Sequence, residues 1–152
     1  MTAEFGHHYI AGQWLSDAPN GFSEVENPSD GSIIGTAPNG SAGLAENAVM
    51  AAREAFESTD WASNPRQRAA ALLEFADILE RRADEIAALM ARENGKVLAQ
   101  ARHEVAAGYG EARYYAGVAR NVFGRTFESG SGKLSLMTRE PSGVVSVIVP
   151  WN

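Results

Sequence analysis

The sequence contains no cysteine. That removes disulfides, thiolate metal sites and a cysteine nucleophile from this chain, and it is compatible with a reducing compartment. A basic patch is also missing: 13 Lys and Arg stand against 19 Asp and Glu, for a formal net charge of −6. This balance argues against a nucleic-acid or anionic-membrane surface, either of which needs clustered positive charge. No stretch approaches the roughly 18 apolar residues of a membrane span. The first ten residues, M-T-A-E-F-G-H-H-Y-I, lack the basic start and apolar run of a secretory signal. The expectation is a soluble, cytoplasmic chain with no nucleic-acid and no membrane partner.

What is present has the length and composition of one ordinary domain. At 152 residues and 45% hydrophobic content, the chain can bury a core and is not intrinsically disordered. The first forty residues read as short strands and turns. Tyr9 to Trp14 suggests a small hairpin turning at Ala11-Gly12. Phe22 to Glu26 alternates, Asn27-Pro28-Ser29-Asp30-Gly31 is a turn cluster, and Ser32 to Thr36 reads as a returning strand.

From Ser41 the period becomes helical. Leu44, Ala48, Ala51, Ala52 and Ala55 form one stripe of a helix that ends near Glu57. Asn64 caps the next helix and Pro65 suits its first turn; its stripe runs to Met90, with a possible re-start at Asp84 and closure at Asn94-Gly95. A third helix spans about Lys96 to Asn121. Gly108, Gly110 and Gly117 interrupt it, each costing about 1 kcal/mol relative to Ala, and close approach of another backbone would be one reason to keep them. Gly124 to Lys133 reads as a polar, glycine-rich connector. Leu134, Leu136 and Thr138 then alternate as in a half-exposed strand. Val144 to Val149 is a continuous apolar run suited to a strand buried on both faces.

Few residues suggest chemistry by themselves. His7-His8 lacks metal-ligand spacing and reads as solvated surface. His103, beside Glu104 in mid-helix, fits a surface or interface position better than a general base. Gly130-Ser131-Gly132-Lys133 resembles a phosphate cradle only superficially, because no strand precedes it and no helix follows. Tyr109, Tyr114 and Tyr115 are expected to pack between helices. The run that ends Val149-Pro150-Trp151-Asn152 leaves two readings open. It puts a flat indole and a polar amide at the carboxyl end of a strand, where ligands bind in open α/β sheets. Equally, it could be a strand leaving a sheet through a hydrophobic anchor.

Several segments, taken in order, resemble the N-terminal part of the NAD(P)-dependent aldehyde dehydrogenase superfamily. They are Y-I-A-G-Q-W at Tyr9, E-N-P-S-D-G-S-I-I-G-T-A-P at Glu26, P-R-Q-R-A-A-A-L-L-E-F-A-D-I-L-E-R-R-A-D-E-I at Pro65, E-N-G-K at Glu93, R-Y-Y-A-G at Arg113, G-R-T at Gly124 and E-P-S-G-V-V-S-V-I-V-P-W-N at Glu140. The resemblance implies an α/β fold: N-terminal strands and three long helices over residues 1–122, a strand-bearing oligomerisation arm over 123–141, and the first strand of a Rossmann-like dinucleotide sheet over 142–152.

It also implies an oxidoreductase that converts an aldehyde to a carboxylic acid with NAD or NADP, through addition of a cysteine thiolate. Ile148, Val149, Pro150 and Trp151 would lie beside the cofactor, and the Asn152 amide would donate to the oxyanion formed on addition. The arm implies a homodimer or homotetramer. No metal ligand is assigned, although members of the family often hold a monovalent cation near positions matching Val25, Glu26 and Glu104. The nucleophile, the water-activating glutamate and the phosphate-binding turn would lie beyond Asn152, so the chain alone is expected to be inactive. The alternative is a free-standing, non-catalytic helical or oligomerisation module.

Overall fold

The computed structural model describes residues 4–149. Strands β1 (Glu4–Phe5), β4 (Phe22–Glu26) and β5 (Ile33–Pro38) form one sheet in the order β1-β5-β4, between which β2 (His8–Ile10) and β3 (Gln13–Leu15) form a separate hairpin. β1 runs parallel and β4 antiparallel to β5. The β2–β3 turn works without Asn-Gly because Ala11 and Gly12 both take positive φ, 52° and 78°, the condition for a turn that matches the strand twist. In the β4–β5 turn, Asn27 Oδ1 accepts from the Ser29 amide and Asp30 Oδ1 accepts from both the amide and the hydroxyl of Ser32.

Among the described residues four helices follow: α1 (Ala42–Ser58), α2 (Pro65–Arg81), α3 (Ala83–Asn94) and α4 (Leu98–Ala119). Each early start has a side-chain cap. Ser41 Oγ accepts from the Leu44 amide at 3.3 Å, and Asn64 Oδ1 accepts from the Gln67 amide at 3.1 Å. The long stripe after Asn64 is broken into two helices at Arg82 (φ −101°, ψ 12°), one residue before α3 begins. Asp84 and Glu85 then occupy the first turn of α3, where negative charge complements the helix dipole. Gly95 ends α3 at φ 74°, and a Cβ there would lie 2.8 Å from Pro28 Cγ. Glycine is required twice over, by the backbone and by the sheet turn resting on it.

α2 and α3 both pack on α4. The seam is built from small residues: Ala76, Ala87 and Ala101 are fully buried, and Val105, Ala112 and Ala116 nearly so. Leu79, Ile86 and Met90 close over the cluster of Ala87, Ala101 and Val105. Of the three glycines of α4, only Gly108 faces a neighbour: a Cβ there would sit 3.5 Å from Leu79 Cδ2, whereas nothing lies within 4 Å at Gly110 or Gly117. Close approach of another backbone is found at none of the three.

β6 (Arg125–Gly130) and β7 (Lys133–Met137) form a second antiparallel hairpin. The stretch read as a glycine-rich connector is thus largely strand. Every residue of β6 is exposed, so no buried face imposes an alternating pattern on it. Leu134 and Leu136 on β7 are 70% and 72% exposed, and Ser135 is the better covered.

Candidate functional site

The run expected to carry chemistry follows β7. The connector turns at Gly143 (φ 92°) and delivers Val144 to Val149. Among the described residues, this run joins no strand ladder, and its apolar side chains face solvent, from 36% exposed at Val144 to 93% at Ile148. The burial expected from the sequence is not found here. A Val/Ile strand becomes buried only when neighbouring strands and covering helices flank it, and the described residues supply none. Ile148 and Val149 are therefore open apolar surface, while Pro150, Trp151 and Asn152 lie outside the described residues.

The remaining candidates fall into place individually. His7 contacts Ser16 Oγ at 3.1 Å through Nδ1 and packs edge-on to Trp14. His8 departs from the expected solvated surface: its Nε2 is buried without a hydrogen-bond partner, and the ring lies against Gly40. His103 is exposed on α4. Gly130 to Lys133 form the β6–β7 turn rather than a strand-to-helix phosphate loop. Tyr109 is half-buried, with the Arg113 guanidinium 5.4 Å from its ring centre. Tyr114 and Tyr115 do not pack between helices as expected; they are 64% and 55% exposed and meet each other edge-on at 5.2 Å.

Electrostatics ties α4 to its neighbours. Arg113 Nη2 donates to Asp77 Oδ1 at 2.8 Å and also to Glu80 Oε2, both on α2. These bonds, that to Glu80 foremost, raise the guanidinium pKa further above its ordinary value. Arg102 donates to Asp84 of α3 at 2.9 Å. Lys96 Nζ donates to both carboxylate oxygens of Glu104, at 2.7 and 2.6 Å. The Glu104 side chain is thus committed to an internal ion pair. Among the described residues, no group of three or more His, Asp or Glu is placed to hold a metal ion.

The aldehyde dehydrogenase family model matches residues 14–152. The α-ketoglutaric semialdehyde dehydrogenase of Bacillus subtilis is 42% identical over 149 residues, covering 95% of this chain and 30% of that protein. The geranial dehydrogenase of Castellaniella defragrans is 35% identical over 155 residues, covering 100% of this chain and 32% of its own length. The crystal structure of an NAD-dependent aldehyde dehydrogenase from Sinorhizobium meliloti superposes with a TM-score of 0.83 at 30% identity, over 88% of this chain and 27% of that one. The chain therefore spans about a third of the length of the curated relatives it matches.

The described residues present only part of a surface to a dinucleotide. Ile148 and Val149 offer an apolar contact, but the run that carries them, Val144 to Val149, holds no charged group to engage a pyrophosphate. What sequence and backbone establish together is ancestry and architecture: the chain belongs to the aldehyde dehydrogenase family.

Proposed function

We infer that this chain serves as the N-terminal part of an aldehyde dehydrogenase about three times its length, which oxidises an aldehyde to a carboxylic acid with NAD or NADP as oxidant. The observation that carries this reading is a match that is continuous from residue 14 to residue 152, so the run through Pro150-Trp151-Asn152 falls inside the family pattern rather than after it. In this reading, residues 142–152 form the first strand of the dinucleotide sheet, and Ile148 to Trp151 form one apolar wall of the cofactor site. The nucleophilic cysteine comes from polypeptide outside this chain, which has none. The exposure of Val144 to Val149 supports the assignment, since a run this apolar needs neighbours to cover it.

The Asn152 side-chain N–H is assigned to the oxygen that becomes an anion when the thiolate adds to the aldehyde. A donor fixed before the reaction stabilises that charge without reorganising, and losing one such donor typically costs about 2.7–4 kcal/mol. The test is a steady-state assay of the longer polypeptide with a panel of aldehydes and each nicotinamide cofactor, in wild type and Asn152→Ala. Turnover is expected to fall about a hundred- to a thousandfold with cofactor affinity retained; undiminished turnover overturns the assignment. The 152-residue chain alone is expected to be inactive.

The β6–β7 hairpin, within residues 123–141, is proposed as the pairing arm of a homodimer or homotetramer. Phe127, Leu134 and Leu136 are at least half exposed on it, and an uncovered strand edge invites a partner strand. Light scattering of the longer polypeptide tests this: Leu134→Glu with Leu136→Glu should lower its mass to that of the monomer.

A further inference from the structure

Three arginines distant in sequence meet at one groove. Arg68 stands in the opening turns of α2, Arg120 follows α4 and Arg139 lies on the connector after β7; together they line a cavity of about 430 Å³ that no carboxylate borders. Among the described residues, none of the three forms a salt bridge, whereas Arg53, Arg82, Arg102 and Arg113 all do. Arg66, Arg81, Arg92 and Arg125 are likewise outside the salt bridges, so it is the shared groove, and not the lack of a carboxylate partner, that sets these three apart.

Two of the three are also held in position by neutral acceptors. Arg68 Nη1 donates to the carbonyls of Trp61 and Ala62, and Arg139 Nε donates to the carbonyl of Phe123 at 3.3 Å. Carbonyls orient a guanidinium without cancelling its charge, so the positive field is fixed in place before anything binds. An adjoining cavity of about 350 Å³ shares Arg68 and Arg139 and is bordered by Phe56, Trp61 and Glu140. One half of the site is thus cationic. The other half is aromatic, with a single carboxylate that disfavours a second negative group.

We propose that this groove binds a phosphate monoester with a neutral, ring-bearing body: the dianionic head between Arg68, Arg120 and Arg139, the body along Trp61 and Phe56. Guanidinium forks match phosphate oxygens two at a time, and such charge-assisted bonds are about twice as strong as neutral ones. Binding here needs nothing from the oxidation of aldehydes and stands independently of it.

Phenyl phosphate is the probe, titrated calorimetrically into the longer polypeptide. Saturable one-to-one binding is expected, weakening severalfold as salt is raised from about 0.05 to 0.3 M, because the site is open to solvent. Arg120→Gln combined with Arg139→Gln should weaken it at least about tenfold, with helical circular dichroism unchanged because both side chains are exposed. Arg66→Gln, an exposed arginine outside the groove, should leave it unchanged. Phenyl phosphate should bind more tightly than inorganic phosphate, and Trp61→Ala should abolish that preference. Absence of saturable binding overturns the proposal. So does equal weakening by Arg66→Gln, or a preference that survives the loss of Trp61.

Discussion

The Lys96 ammonium holds both oxygens of the Glu104 carboxylate, within 2.7 Å of each, and only 7% of its side chain remains exposed. The pair joins the loop after α3 to the first half of α4, beside the packed cluster of Ala101 and Val105. Glu104→Ala removes two charge-assisted bonds from a largely covered ammonium, and charged hydrogen bonds contribute about 1.5–3 kcal/mol in such settings. Urea unfolding should register a loss of about 2–3 kcal/mol. A loss near zero would mean that Glu104 is not what holds the ammonium.

Arg113 offers the contrasting case. Its two carboxylate partners, Asp77 and Glu80, are 57% and 50% exposed at the side chain, so water screens the attraction. Arg113→Gln should cost no more than about 1 kcal/mol, and the difference from wild type should shrink as salt is raised toward about 1 M. Denaturation midpoints at low and high ionic strength measure both effects.

The helical part of the molecule was legible because its signals are local. Ser41, Asn64-Pro65 and Asn94-Gly95 announce ends through their own chemistry, and the break at Arg82 sits where the acidic pair Asp84-Glu85 could restart a helix. β6 was not legible: R-T-F-E-S-G buries no face, so burial left no period to read. Val144 to Val149 reads as a buried strand yet lies open, because burial of both faces needs flanking strands and helices that the described residues do not supply. The arginine groove escaped notice because Arg68, Arg120 and Arg139 are brought together only by the meeting of three segments. The role given to Asn152 rests on family resemblance, and no spacing within the sequence could have assigned it.

Asp30 ties acid stability to the β4–β5 turn. The Ser32 hydroxyl, then the Ser32 amide, bond its carboxylate and hold its pKa below the usual carboxylate range. A folded-state pKa below the unfolded one means that the contribution is fully present above the unfolded value, about 3.9, and is lost as pH falls through the lower folded value. Urea midpoints of Asp30→Asn should therefore lie below wild type at neutral pH and converge with it as pH falls below the unfolded value and through the lower folded one. A gap that stays constant across that window would assign the role of Asp30 to turn shape rather than charge.

Two glycines should respond to alanine in opposite directions. At Gly124 an added Cβ would lie 2.2 Å from the Met137 carbonyl oxygen, which is backbone of the partner strand and cannot step aside without opening the β6–β7 hairpin. Gly124→Ala should destabilise that hairpin, by the roughly 1–3 kcal/mol typical of forced overpacking. Gly110 lies inside α4 with nothing within 4 Å of the new methyl. Gly110→Ala should stabilise the chain by about 1 kcal/mol, through helix propensity alone. Amide exchange in β6 and β7 reads the first change and the thermal midpoint reads the second. Stabilisation by Gly124→Ala, or destabilisation by Gly110→Ala, would contradict the backbone paths described for the hairpin and for α4.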